Sequence, residues 1–256
     1  MKENWHFKNL NKSSVRNYAT KLAFLPTEIS TYNTMVMVFA RSAKAEAKAK
    51  DLDKGLSYSM AIELSQKLLD HTFGEVEKSG IPFNWVNETQ QQGSNYRERF
   101  LASVRKQFSE GVQQLIIVGS DTPNLSSDHL LLAKEYLSHD VSVFGPSADG
   151  GVFLIAITKE QFLAGALDHV DWLTDRVLAQ LSENASNYVL LDTQADIDSV
   201  AEIGSSIHTW ANRNLAAWVN RAINPDQTSF DHKSVDSFNR LISGVSELRG
   251  PPQVYS

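Results

Sequence analysis

The residues of this chain best suited to chemistry are carboxylates placed just past apolar, strand-like runs. Asp121 stands in GSDTP, residues 119–123, directly after the run Leu115–Gly119, and Asp149 stands in GPSADGG, residues 145–151, directly after Val141–Gly145. A carboxylate one residue beyond a buried strand, in a turn fixed by proline, can hold a hard divalent cation. Magnesium in particular is shared between one or two carboxylates and substrate phosphates. Asp121 could equally accept backbone N–H bonds in an Asx-type turn, and the residues alone leave the two readings level. Beside Asp149, Gly150 and Gly151 carry no Cβ and would let the backbone approach a ligand closely. Asp-Gly is also a strong hairpin signal, and taken alone that is the better reading. If strands 115–119 and 141–145 are parallel neighbours, both acids emerge on one rim, because ligands of open α/β sheets bind beyond the carboxyl ends of the strands.

Cationic groups offer a second chemistry. Arg41, Lys44, Lys48 and Lys50 in RSAKAEAKAK could form an electropositive lip for a di- or triphosphate. A solvated helix start or a mobile loop is favoured, because charge runs usually face water. Arg97 and Arg99 fall at a helix N-terminus, where backbone amides attract anions, although a surface role is somewhat better supported for each. The segment DIDS, 196–199, adds Asp196 and Asp198; an Asp198 cap on a helix starting at Ser199 is the simpler account of it. The seven histidines form no HExxH and no i, i+4 pair, so a histidine-rich metal site is disfavoured. No GxGxxG, GxxxxGK[ST] or GxSxG occurs, which weighs against dehydrogenase, P-loop kinase and α/β-hydrolase chemistry.

Positioning these groups requires a sheet. Met35–Ala40, Pro82–Val86, Leu115–Gly119, Val141–Gly145, Val152–Ile157 and Tyr188–Asp192 read as strands. Between them, helical spacing of apolar residues predicts helices over 56–78, 96–108, 126–137 and 171–183, with a short one opening at the pair Thr158 and Gln161. Asn95 with Glu98 and Ser126 with Asp128 supply N-terminal helix signals. Strands alternating with helices of this length predict a mainly parallel sheet covered by helices. An amphipathic helix carries Ile207, Trp210, Ala211, Leu215, Trp218, Val219 and Ala222 on one face. Packing on its own domain is the favoured reading of that face, ahead of a partner subunit.

The chain has 256 residues, a net charge of −6 and no cysteine. That charge argues against a nucleic-acid backbone as partner, and the missing thiols exclude disulfides and thiolate chemistry. No apolar run is long enough for a membrane span, and the first residues lack the apolar core of a signal peptide, so the expected location is the cytoplasm. The organisation expected is an N-terminal extension over 1–32, an α/β domain over 33–204 and a helical C-terminal extension over 205–256.

Taken in order and spacing, GSDTPNL, GPSADGGVFLIAI, VDWLTDRVLAQ and LLDTQADIDSVAEI resemble a family of predicted GT-A-type glycosyltransferases. Its members carry labels such as domain of unknown function or radical-SAM/selenodomain-associated transferase. The family is distantly similar to small nucleotidyltransferases such as those that build molybdopterin and deazaflavin cofactors. The resemblance covers roughly residues 33–204. It implies a three-layer α/β/α sandwich of the nucleotide-diphospho-sugar transferase type, using magnesium or manganese to hold a nucleotide diphosphate. By residue matching it implies Asp121 as the metal-binding acid and Asp149, Gly150 and Gly151 as the second motif, with Asp149 sharing the metal or orienting the acceptor. Residues 92–99 match a glutamine–glycine–helix segment, and Trp172 and Thr174 a segment on the acceptor side. Ser120, Arg41, Arg97 and Arg99 are then expected at the nucleotide. The family's phosphate-gripping loop contains proline and glycine and ends in Lys-Thr-Arg-Leu. Here that loop reads SAKAEAKAKDL, with Lys48 and Lys50 standing in for the catalytic cations.

Three functions follow as expectations. The first is a metal-dependent glycosyltransferase using a nucleotide-diphospho-sugar; the second is a nucleotidyltransferase joining a nucleoside triphosphate to a phosphorylated acceptor. The third is a non-catalytic nucleotide-binding or assembly module that kept the sheet and lost the loop, a reading compatible with a homo-oligomer.

Overall fold

The structure is a computed structural model and describes residues 33–200, 203 and 206–223. The extension expected over 1–32, and residues 224–256 of the expected C-terminal extension, lie outside the described residues.

Six strands, β1 (Thr34–Phe39), β2 (Phe83–Val86), β3 (Gln114–Val118), β4 (Ser142–Pro146), β5 (Val152–Thr158) and β6 (Tyr188–Leu190), form one sheet in the order β2-β1-β3-β5-β4-β6. β1 is parallel to β2 and β3, and β4 is parallel to β6, while β5 runs antiparallel to both β3 and β4. The sheet is mixed and mainly parallel, as the alternation of strands and helices predicts. The adjacency of strands 115–119 and 141–145 needs correction, because β5 lies between them. The turn 147–151 folds β5 straight back on β4 (Phe144 opposite Ile155), and the free edge of β5 then pairs with β3 (Ile117 opposite Ile155). The carboxyl ends of β3 and β4 still point the same way, two strand spacings or roughly 10 Å apart.

The helices are α1 (Ala43–Ala49), α2 (Tyr58–Ser79), α3 (Tyr96–Ser109), α4 (Ser127–Leu137), α5 (Lys159–Leu163), α6 (Val177–Asn184) and α7 (Arg213–Ile223). Alternate strand residues face opposite layers. Val36, Val38, Ile116, Val118, Leu154 and Ala156 pack with α2 and α4. Met37, Leu115, Ile117, Ile155 and Ile157 pack with α3 and α6. Local chemistry sets the helix ends. The Ser57 side chain accepts from the Met60 N–H, and Gly80 stops α2 in the left-handed region at φ 66. Asn95 accepts from Glu98 at the head of α3, while Ser126 with His129, and Thr158 with Gln161, form reciprocal capping boxes.

One segment departs from the helical reading of the sequence. The helix expected over 171–183 begins only at Val177, because Leu173 adopts φ 68 and breaks the run of helical dihedrals. Residues 43–49 are helical, the first of the two favoured alternatives for that segment. A third apolar cluster joins α1, α2 and α7 through Ala47, Leu64, Leu68, Trp210, Leu215 and Val219, with Ile197 and Ile203 from the intervening chain. The amphipathic face of α7 therefore packs on its own domain, and the Lys67 ammonium lies 4.8 Å above the Trp218 ring. Among the described residues no helix is long and apolar enough to cross a membrane.

Candidate active site

Four chain segments deliver acids to one end of the sheet. β1 leads into α1, which carries Glu46 and is followed by Lys50, and β3 ends just before Ser120 and Asp121. The β4–β5 hairpin carries Asp149. The fourth segment follows β6, where the chain keeps pairing alongside β4. Leu191 N–H donates to Phe144 O at 2.9 Å, Gln194 N–H to Pro146 O at 3.0 Å, and Ala148 N–H to Gln194 O at 3.0 Å. This continuation brings Asp196 and Asp198 to Asp149. The Ile197 N–H then donates to Asp121 O at 2.9 Å, tying the same turn to the end of β3.

Carboxylate oxygens of Asp149, Asp196 and Asp198 all lie within 4.8 Å of one another. Asp149 is oriented by its own hairpin, its Oδ1 accepting the Gly151 N–H at 2.9 Å. Next to the three acids sits Lys50. Its Nζ donates to Asp121 Oδ2 at 2.7 Å and to Ile197 O at 2.6 Å, and pairs with Asp198 Oδ1 at 2.7 Å and Glu46 Oε1 at 3.6 Å. Arg41 Nη1 holds the other oxygen of Glu46 at 3.0 Å.

These contacts set the protonation states. Burial would lower the Lys50 ammonium, yet Asp121, Glu46 and Asp198 together raise it, so it stays charged. Burial likewise works to raise Asp121, and the Lys50 charge and hydrogen bond overcome it and hold Asp121 low. Asp196 is pushed up to about 6, first by burial and then by the charges of Asp121, Asp149 and Asp198. Burial, with the neighbouring Asp121, pushes the Tyr96 phenol up to about 12.

The acids open onto a cleft of about 520 Å³. Part of its lining is aromatic. Tyr96 stacks on Phe100 at 5.9 Å, Phe39 meets Phe100 edge-on at 5.4 Å, and Trp172 lies 4.5 Å from Phe100. Arg41 and Arg99 line the same space. The cleft thus combines a cluster of carboxylates with flat aromatic rings and two guanidinium groups, of which Arg41 is paired with Glu46.

The residues singled out from sequence fall as follows. Asp149, Asp121, Lys50, Arg41, Ser120, Gly151, Arg99, Trp172 and Thr174 line the cleft. Asp121 is turned to Lys50 and is not one of the three converging acids. Lys48 is exposed on α1 and does not line the cleft. Arg97 donates to Val170 O at 2.9 Å and also lies outside it. Gly150, at φ 90, packs against the 175 segment, where a Cβ would stand 2.4 Å from Asp175 O. Its missing side chain serves chain packing there. The sequence reading names Asp196 and Asp198 but prefers a helix cap for Asp198, and it does not single out Glu46. Asp198, read as a cap, directs Oδ1 to Lys50. The available signal was that 196–198 also follows a strand at its carboxyl end, as 121 does.

Three carboxylates form a hard, all-oxygen donor set, the chemistry that suits magnesium or manganese and not a soft thiophilic ion. The residues present fit such a cation, with Asp149, Asp196 and Asp198 as its protein ligands.

Strand order, layers and the position of the cleft define an α/β fold of the nucleotide-diphospho-sugar transferase type. Residues 77–174 match the family described as uncharacterised protein conserved in bacteria (DUF2064). The crystal structure of a candidate nucleotide-diphospho-sugar transferase from Desulfovibrio desulfuricans G20 is 19% identical and superposes with a TM-score of 0.61, covering 75% of this chain and 97% of that chain. At this identity the likeness establishes the fold. A homologue of Rv0371c from Mycobacterium sp. strain JC1 is 12% identical, with a TM-score of 0.43 over 74% of this chain and 98% of that one. A manganese complex of Rv0371c from Mycobacterium tuberculosis H37Rv is 12% identical, with a TM-score of 0.35 over 68% of this chain and 97% of that one. A comparison with curated proteins finds no match.

Proposed function

We propose that this protein is a metal-dependent transferase acting on a nucleotide-diphospho-sugar. The observation that carries the reading is the convergence of Asp149, Asp196 and Asp198 within 4.8 Å at the carboxyl ends of the parallel strands, beside an open cleft. A divalent cation held there would supply charge neutralisation for the diphosphate and its departing nucleotide. Arg41 and Arg99 would pair with the phosphate oxygens, as guanidinium groups do in a bidentate manner. The aromatic wall of Phe39, Tyr96 and Trp172 gives a planar ring a surface to stack on. Lys50 has its three N–H groups committed to Asp121, Asp198 and Ile197 O, so contact with phosphate falls to the arginines.

The diphospho-sugar reading is favoured over nucleotidyl transfer by the segment after β1. A triphosphate needs a backbone cradle, and here that segment is helical. Its leading amide, on Ser42, is already taken by Glu88 Oε2 at 2.7 Å.

Titration calorimetry with manganese and a panel of nucleotide-diphospho-sugars tests the proposal. Wild type is expected to bind at least one donor only when manganese is present, and Asp149→Asn with Asp196→Asn is expected to abolish that dependence. Metal-independent binding, or none across the panel, would sink it.

A further inference from the structure

The cation at the centre of the acidic basin belongs to the protein itself. Lys50 Nζ makes three short contacts, to Asp121 Oδ2 and Asp198 Oδ1 at 2.7 Å and to Ile197 O at 2.6 Å. An ammonium has three N–H donors, so its hydrogen-bonding capacity is filled. One of those partners, Asp198, is also one of the three converging acids. The same carboxylate is therefore claimed from two sides.

We propose that Lys50 is the built-in counter-ion of the basin and that a divalent cation entering at Asp149, Asp196 and Asp198 must compete with it for Asp198. The proposal rests on the metal-dependent reading above. Two cations that share one carboxylate repel each other, and the repulsion is strong where water screens poorly. The Lys50 side chain is only 13% exposed. Removing its charge leaves Asp121 and Asp198 as uncompensated anions beside the triad, which draws a divalent cation in more strongly.

A rival role for Lys50 is a latch that holds the 196–198 turn in place. The turn has two other anchors. The Ile197 N–H bonds to Asp121 O at 2.9 Å, and the Ile197 side chain is 1% exposed within the third apolar cluster. These hold the turn without the lysine, so its charge is the contribution left to account for.

The experiment measures manganese binding to the full chain by titration calorimetry, with thermal unfolding read with and without the metal. Lys50→Met removes the ammonium; Lys50→Gln removes its charge but keeps an N–H donor for Ile197 O, and so guards against a variant that fails to fold. Both are expected to bind manganese at least roughly tenfold more tightly than wild type, in keeping with the loss of one charge repulsion at short range. Both should melt at lower temperature without metal and gain more from saturating manganese than wild type does. Lys50→Arg, which keeps the charge, should behave as wild type. Weaker binding in the neutral variants identifies a latch, and equal binding identifies a bystander; either overturns the proposal while leaving the metal site standing. No binding by any form removes both.

Discussion

A carboxylate with three acidic neighbours and partial burial is costly to ionise, and Asp196 is in that position. In the unfolded chain it titrates near 3.8, and in the folded protein near 6. Between those values the folded state holds the extra proton. Stability of the metal-free protein is therefore expected to fall as pH rises from about 4 to about 6, and not to fall further on this account above that. Asp121 has the opposite sign: Lys50 holds it low. Its contribution is full above the unfolded value of 3.8 and is lost as pH drops through the lower folded value. Melting temperature against pH separates the two, since Asp196→Asn should flatten the slope between about pH 4 and 6 and leave the acid limb in place. An unchanged slope would mean that Asp196 does not feel its neighbours. At the turn beside it, Gly150→Ala meets both a φ of 90 and a carbonyl 2.4 Å from the new Cβ. A loss on the order of 2 kcal/mol or more is expected in denaturant unfolding.

Elements couple this site to apolar packing some distance from it. Trp210 is fully buried, and Ile197, Ile203 and the faces of α2 and α7 share its cluster. Trp210→Ala should cost about 3–5 kcal/mol. By loosening the side chain that anchors the 196–198 turn, it should also weaken manganese binding. Phe108→Ala in the opposite layer should cost a similar amount and leave binding unchanged. Equal effects of the two on binding would separate the turn from the cluster. The same contrast of near and far explains what the sequence made readable. Caps at Asn95, Ser126 and Thr158 depend on residues three positions away, and they are visible in the chain as written. The strands are apolar runs and equally plain. Lys50 meets Asp121 across 71 positions and Ile197 across 147, and no local pattern encodes such a meeting. Asp196 and Asp198 reach Asp149 because a three-residue strand, β6, pairs with β4 and the chain runs on beside it. The strand itself is plain in the sequence, but nothing in DIDS marks the pairing of 191–194 beside β4 that carries its acids to Asp149. The alanine–lysine run gave its charge readily, but the one lysine that turns inward is chosen by α1 packing Ala43 and Ala47 against the domain.

At the scale of the whole molecule, a net charge of −6 and six carboxylates lining one cleft (Glu46, Asp121, Asp149, Asp175, Asp196 and Asp198) create a field that gathers cations. Monovalent salt screens that field, with a screening length of about 10 Å at 0.1 M and about 3 Å at 1 M. Apparent manganese affinity should fall several-fold across that range, as read by calorimetry; an affinity indifferent to salt would confine the attraction to the three ligands alone. The mixed sheet bears on the cleft as well. Because β5 runs against its neighbours, the chain leaves the rim at β4 and re-enters within residues 147–151, without a helical crossover. Asp149 is consequently held from both sides, between the end of β4 at Pro146 and the start of β5 at Val152. A longer turn over 147–151 would shift Asp149 against Asp196 and Asp198, so the spacing of the three acids is set in part by the length of that one hairpin.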